Sequence, residues 1–376
     1  MATDRTGKTG TSGKRADAGK GSGAGKSSGP GKNSVAGKSF GATMAEVAAL
    51  AGVTKMTVSR ALRQPQKVNP ETRERVQAAM AELAYVPNRL AGGLTAGSSG
   101  LVAAIVPTFR HSIFADTLEG LSDVLAEAGL GLFISSSAYQ TDVEESQIRS
   151  LLERRPDAMM LTGLTHTAGT RDLLRGFGIP VVETWETGDE IVDMAVGYSN
   201  REAAHAMTAE LIRSGYRRIA FVNGPMDTNE RARHRAEGYQ AAMREAGLGA
   251  LPIHVVRDEA AIVPETGARA IRALQRQAPD VDAVFFTSDV FAVGAILACR
   301  DLGIDVPRQI GIAGFHDLEI GRVVSPTLTT VHVPALEMGR KAGHMILARL
   351  AGKRPPQDRH DLGFSIISRE SSRRGP

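Results

Sequence analysis

The sequence predicts a multidomain protein in which a small all-α helix-turn-helix unit precedes a larger α/β unit built on parallel sheet. Three observations predict it. The chain, at 376 residues, exceeds one ordinary domain. Three short segments with helical spacing, within residues 42–87, give way from residue 100 to β-branched runs that alternate with helical stretches. The charge is also unevenly placed: a formal +4 overall is divided as +6 on residues 1–42, +3 on residues 43–97 and −5 on the remainder. A basic first quarter points to a nucleic-acid contact there and a different task for the rest.

Residues 1–41 are mostly Gly, Ser, Ala and Lys and hold too little apolar surface to fold, so a disordered basic tail is expected. Gly-Lys recurs every six residues, at Lys8, Lys14, Lys20, Lys26, Lys32 and Lys38. Two readings stay open: a flexible arm that attracts phosphates, or a solubilising leader with no further task. The chain has one cysteine, Cys299, which rules out an internal disulfide and suits a reducing cytoplasm. No apolar run is long enough to span a membrane, and the N-terminus lacks the apolar segment of a secretory signal. The histidines are scattered, so neither metal nor cofactor is expected.

Residues 42–87 carry three helix starts. Thr43 with Glu46 three residues on makes a capping box ahead of Val47, Leu50 and Ala51. Gly52 breaks that helix, and Thr54 caps a second bearing Val58, Ala61 and Leu62. Asn69-Pro70 opens a third, with Val76, Ala79, Met80 and Leu83, which Pro87 ends. Two helices joined by a tight glycine turn read as a helix-turn-helix. Farther on, strands are expected at 101–106, 131–135, 158–162, 179–183, 218–223, 253–257, 282–287 and 309–313. Helices are expected at 114–128, 143–154, 201–214, 231–246, 265–276 and 290–302, with a late helix at 335–350 and a strand at 363–368. So many strands divide more readily into two sheets than one.

The run GVTKMTVSRAL at 52–62, preceded by TMAEVAALA and followed by an Asn-Pro-Glu helix and YVPNRLAGGL, closely resembles the headpiece of the lactose-repressor (LacI) family. The resemblance covers nearly all of 43–97. It implies that the second helix enters the major groove with Lys55, Met56 and Arg60 toward base edges. The chemistry agrees: arginine can hold guanine O6 and N7, and methionine can contact a thymine methyl. Thr54, Thr57 and Ser59 are short hydroxyls suited to phosphates. Residues 88–98 match the family's hinge. The resemblance places Asn88, Arg89, Ala91 and Leu94 on DNA, with Leu94 as the apolar wedge in the minor groove. Gly92-Gly93 departs from good helix formers, so this hinge is expected to order only on DNA.

Residues 99–376 resemble the same family's effector-binding and dimerisation domain, which implies two α/β lobes like those of a periplasmic binding protein, joined by three crossovers around a ligand. Such ligands bind outside the carboxyl ends of strands. On this resemblance the effector residues are Thr108 and Phe114 after the first strand and Arg235, three before Gly238-Tyr239. Asp289 follows 282–287, and His316 and Asp317 lie in GFHD. Many sugar-sensing members carry aspartate where His316 stands, so this cleft suits an anion better. GVTKMTVSR, the THT segment at 165–167 and GFH most resemble the gluconate-operon repressors. The effector implied is a sugar acid such as gluconate, or its phosphate. Trp185, the only tryptophan, either lines the cleft or closes an interface.

The expected function is repression of transcription from a near-palindromic double-stranded operator, controlled by that effector. A secreted solute-binding protein would share the sensor fold but lack the headpiece. An enzyme would need a nucleophile elbow, phosphate loop or paired catalytic groups, and none stands out. Symmetry of the operator implies a homodimer. The C-terminal SRESSRRGP has no apolar heptads for a tetramer bundle. The dimer contact is expected on helix 114–128 through Leu118, Leu121 and Leu125. Whether effector releases or recruits DNA stays open.

Overall fold

The structure, a computed structural model, describes residues 41–87, 98–110, 112–256, 262–353 and 357–374. The expected tail (1–41) and hinge (88–98), with Asn88, Arg89, Ala91 and Leu94, therefore lie outside the described residues, save positions 41 and 98. The chain divides into two compact units, Met1–Pro87 and Asn88–Pro376.

In the first unit α1 (Met44–Leu50), α2 (Lys55–Arg63) and α3 (Pro70–Glu82) form because each start is capped locally. Thr43 Oγ1 accepts from the Glu46 amide at 3.4 Å, and Glu46 Oε2 accepts from the Thr43 amide at 2.6 Å. Thr54 Oγ1 accepts from the Thr57 amide at 3.2 Å, and Asn69 Oδ1 from the Glu71 amide at 3.0 Å. Gly52, at φ +63°, makes the turn between α1 and α2, a conformation that favours glycine. Arg75 of α3 donates through Nε to the Ala51 carbonyl at 3.2 Å, satisfying an orphan acceptor at the end of α1. Val47, Ala48, Ala51, Val58, Ala61, Val76 and Ala79 form the core. Leu62, expected to join it, stays 37% exposed.

The second unit holds two six-stranded sheets. The first comprises β1 (Leu101–Val106), β2 (Gly131–Ser136), β3 (Ala158–Thr162), β4 (Val181–Thr184), β5 (Met194–Gly197) and β11 (Arg359–Asp361). Their order is β11-β5-β4-β3-β1-β2. The second comprises β6 (Ile219–Asn223), β7 (His254–Val255), β8 (Ala283–Phe286), β9 (Gly311–His316), β10 (Thr329–His332) and β12 (Ser365–Ile367). Their order is β12-β10-β9-β8-β6-β7. Every pairing is parallel except β10 with β12.

Helices cover both faces of each sheet, which is why the strands read as continuous apolar runs. Val102, Ala104 and Val106 of β1 face α4 (Ala115–Glu127) and α12 (Ala335–Leu350), whereas Ala103 and Ile105 face α5 (Thr141–Leu152) and α6 (Ala168–Phe177). On the second sheet α7 (Asn200–Arg213) and α8 (Glu230–Glu245) cover one face, α9 (Pro264–Gln277) and α10 (Asp289–Asp301) the other. The short α11 (Ile320–Val323) follows β9. The chain passes between lobes after β5, after β10 and between β11 and β12, three crossovers in all.

Two of the three leucines expected to make the dimer contact on α4 are turned inward instead. Leu121 and Leu125 are fully buried, and Leu118 packs against the same core. Leu121 and Leu125 face α12, while Leu118 keeps part of its surface open. The approach is tight because a Cβ on Gly120 would strike the Leu336 carbonyl, and one on Gly339 the Thr117 carbonyl. Exposed apolar surface lies instead on β2, at the sheet edge, where Phe133 is 47% and Ile134 43% accessible.

Candidate functional site

Two places concentrate chemistry, one in each unit. In the first, α2 turns Val58 and Ala61 into the core and leaves Thr54, Lys55, Met56 and Arg60 exposed. Thr57 and Ser59 are half-buried. Met56 is 70% accessible, a large apolar side chain that its own unit does not cover. The Thr54 and Thr57 hydroxyls lie 3.0 Å apart while Thr54 caps the helix, so both already serve the fold.

In the second unit a cavity of about 740 Å³, counted to its open mouth, lies between the carboxyl ends of the two sheets' strands. The first lobe contributes Arg110 and Ile113 after β1 and Tyr139 after β2. The second contributes Asn223 and Gly224 at β6, Thr287 and Ser288 at β8, His316 at β9, and Asn229, Ala232 and Arg235 from α8. Val256, Ile262, Val290, Phe291 and Leu318 form its apolar side. Among the described residues the wall carries no Asp or Glu.

Arg235 is the centre of the polar side. Its Nη1 donates to the Thr287 carbonyl at 3.2 Å and its Nε to the Arg231 carbonyl at 3.2 Å. The guanidinium carbon sits 4.9 Å from the Phe315 ring centroid. Burial lowers its pKa from the usual arginine value, without removing the charge at neutral pH. His316 stands at φ +102°, its ring 5.0 Å from Phe315 and 6.0 Å from Trp185. Asn223 Nδ2 donates to the Ala232 carbonyl at 2.7 Å, tying β6 to α8.

Of the six expected effector residues, the structure brings Arg235 and His316 to this wall and leaves four away from it. Thr108 is half-buried, and its hydroxyl accepts from the Arg110 amide at 3.1 Å. Phe114 is buried edge-on against Trp185, their centroids 5.2 Å apart. Asp289 is wholly buried: Oδ1 accepts from the Thr330 hydroxyl at 2.6 Å and Oδ2 from the Leu318 amide at 2.7 Å. Burial pushes its pKa up to about 7, against those hydrogen bonds. Asp317 is held by Arg369 at 2.6 Å, Arg322 at 3.0 Å and His332 at 3.2 Å. Burial opposes its charge, but the two arginines outweigh it and keep the pKa below the usual carboxylate value. Sequence reading missed Arg110, Tyr139, Asn223, Asn229, Thr287 and Ser288. Four of these close a strand or cap a helix, a signal that the strand and helix boundaries carried.

Comparisons with known proteins find relatives of both units. A family model described as bacterial regulatory proteins, lacI family, matches residues 43–88, and one described as a periplasmic binding protein-like domain matches residues 208–372. The HTH-type transcriptional regulator GntR of Escherichia coli K12 is 36% identical over 323 residues, covering 86% of this chain and 96% of that one. IdnR, an HTH-type transcriptional regulator of the same organism, is 37% identical over 325 residues with the same two coverages. A crystal structure of a LacI-family transcriptional regulator from Silicibacter pomeroyi superposes with a TM-score of 0.83 at 33% identity, covering 89% of this chain and 100% of that one. The relatives are transcriptional regulators, not enzymes. Among the described residues no helix is long and apolar enough to cross a membrane.

Proposed function

The chain belongs to the LacI family of bacterial regulatory proteins, DNA-binding transcriptional repressors that act as dimers, and from that premise we propose that its effector is a sugar acid such as gluconate or its phosphate. The observation that carries the reading is the composition of the cavity wall: Arg110, Arg235 and His316 line it, with no carboxylate among the described residues. A wall of that sign favours an anion, and an arginine fork suits a carboxylate or phosphate. Asn223, Asn229 and Ser288 supply the donors and acceptors that sugar hydroxyls require. On the headpiece, Lys55, Met56 and Arg60 read base edges, and Thr54, Thr57 and Ser59 meet phosphates. Effector binding releases the operator, and operator binding reciprocally weakens effector binding. The second copy docks on the β2 edge through Phe133 and Ile134.

Fluorescence anisotropy on a near-palindromic duplex from the protein's own upstream region tests this at fixed salt. Tight, sequence-selective binding is expected to fall on adding gluconate or 6-phosphogluconate. In Arg235→Lys, which forfeits the fork, the same fall is expected to need about thirtyfold more acid, the loss of a hydrogen bond to a charged group. Tight binding indifferent to every sugar acid would overturn the effector reading and leave the DNA reading standing.

A further inference from the structure

Helix α8 faces two ways. Asn229 at its cap, Ala232 and Arg235 face the cavity, while Glu230 and His234, one turn apart, reach across to the first lobe. Glu230 Oε1 accepts from the Leu164 amide at 3.1 Å, beyond the end of β3, and takes Arg231 Nη1 at 3.2 Å. Position 163 must be small for this to happen, since a Cβ on Gly163 would collide with Glu230 Oε1 and Arg231 Nη1. From the other side, Glu186, beyond the end of β4, places Oε2 at 2.8 Å from His234 Nδ1 and 3.2 Å from Asn200 Nδ2. Each lobe thus offers one buried carboxylate to the other, and both bonds fall on the first two turns of α8. A buried carboxylate is tolerated only with its partners in place. Burial works against the Glu230 charge, yet Arg231, the Leu164 amide and His166 outweigh it and hold its pKa below the usual range. His234 is raised, chiefly by its bond to Glu186.

We propose that the Glu230–Leu164 and Glu186–His234 contacts form an inter-lobe latch, with Glu230, Glu186 and His234 acting as positioning residues that hold α8, and through it Arg235, in register for the effector. The proposal rests on reading the cavity as the effector site. None of the three latch residues lines the cavity, so they act through α8 and not by touching ligand.

The full-length protein permits two independent readouts. Trp185 is the only tryptophan, 2% exposed, and lies against His316 of the other lobe, so its emission without ligand reports the seam. Calorimetric titration with D-gluconate reports the cavity. Glu230→Ala is expected to red-shift the emission and weaken gluconate about tenfold, at the low end for one hydrogen bond to a charged group because Glu230 acts through α8 and not on the ligand. Glu230→Gln, whose amide oxygen still accepts from Leu164, is expected to recover most of the affinity, which a purely structural role would not predict. Wild-type emission and wild-type affinity in Glu230→Ala would overturn the latch. If Glu230→Ala does not fold, His234→Ala, at a half-exposed position, carries the same two readouts. If the wild type takes no gluconate, the ligand reading falls, and the emission shift alone decides the latch: present, it stands; absent, it is overturned.

Discussion

In the alkaline range one buried histidine makes a separable contribution to stability. His166, on the loop that also carries Leu164, has Nδ1 2.5 Å from Glu144 Oε1 and Nε2 3.1 Å from Glu183 Oε1, all three side chains being buried. Burial favours the neutral imidazole, but two hydrogen-bonded carboxylates outweigh it and raise the pKa from 6.5 to about 9. A folded-state pKa above the unfolded one stabilises the fold fully below pH 6.5 and loses that contribution as pH rises through about 9. At 1.36 kcal/mol for each pH unit, the rise is worth about 3 kcal/mol. The perturbation is His166→Gln, which keeps one donor and removes the titration. Urea unfolding followed by Trp185 emission reports only the second unit, where that tryptophan lies. The wild type is expected to lose about 3 kcal/mol more than the variant between about pH 6 and about pH 10. His234, also raised, is common to both proteins and cancels in the difference. Parallel stability curves would refute the assignment of charge to His166.

Two further outcomes are expected. Met56→Ala and Arg60→Ala should each weaken operator binding by about 1–3 kcal/mol while leaving non-specific duplex binding nearly unchanged, both measured by anisotropy; equal losses on both duplexes would remove α2's side chains from base reading. Phe133→Glu combined with Ile134→Lys should convert the dimer to a monomer in sedimentation, because charges on an edge strand oppose docking; a persistent dimer would place the interface elsewhere.

What the sequence made legible follows from how local each determinant is. Thr43 with Glu46, Thr54 and Asn69 announce their helices because a cap and its acceptor lie two or three residues apart. The β1 and β3 runs are readable because both faces are buried, whereas β11, Arg359–Asp361, pairs at an edge with no apolar signal. The α4 stripe shows the limit of periodicity. Spacing established that Leu118, Leu121 and Leu125 would be covered, but not by what. Their cover is α12, more than 200 residues later in the chain and brought close by Gly120 and Gly339. The carboxylates fail for the same reason. Asp289 and Asp317 stand at the strand ends where ligand groups belong, yet Thr330 and Arg369, distant in sequence, claim them.

The charge pattern bears on why Arg235 matters more than the domain around it. Residues beyond 97 are net −5, so if the effector is the proposed anion the long-range field does not draw it in and its recognition is local. Arg235 is buried, yet both of its hydrogen-bond acceptors are neutral carbonyls, and among the described residues no carboxylate forms an ion pair with it. Glu186 favours the charge from a distance, but no carboxylate bonds the guanidinium directly, so on the proposed reading a ligand acid placed there would complete the pair at a point where water screens it little. The Asp317 carboxylate, next in sequence to His316, is occupied by Arg369, Arg322 and His332. That arrangement keeps a competing negative charge committed elsewhere. On the proposed effector reading, an acid would bind here because the hydrogen bonds of Arg235 go to carbonyls and leave its guanidinium open to a ligand carboxylate, and the proposed latch on α8 would link that site to the seam between the lobes.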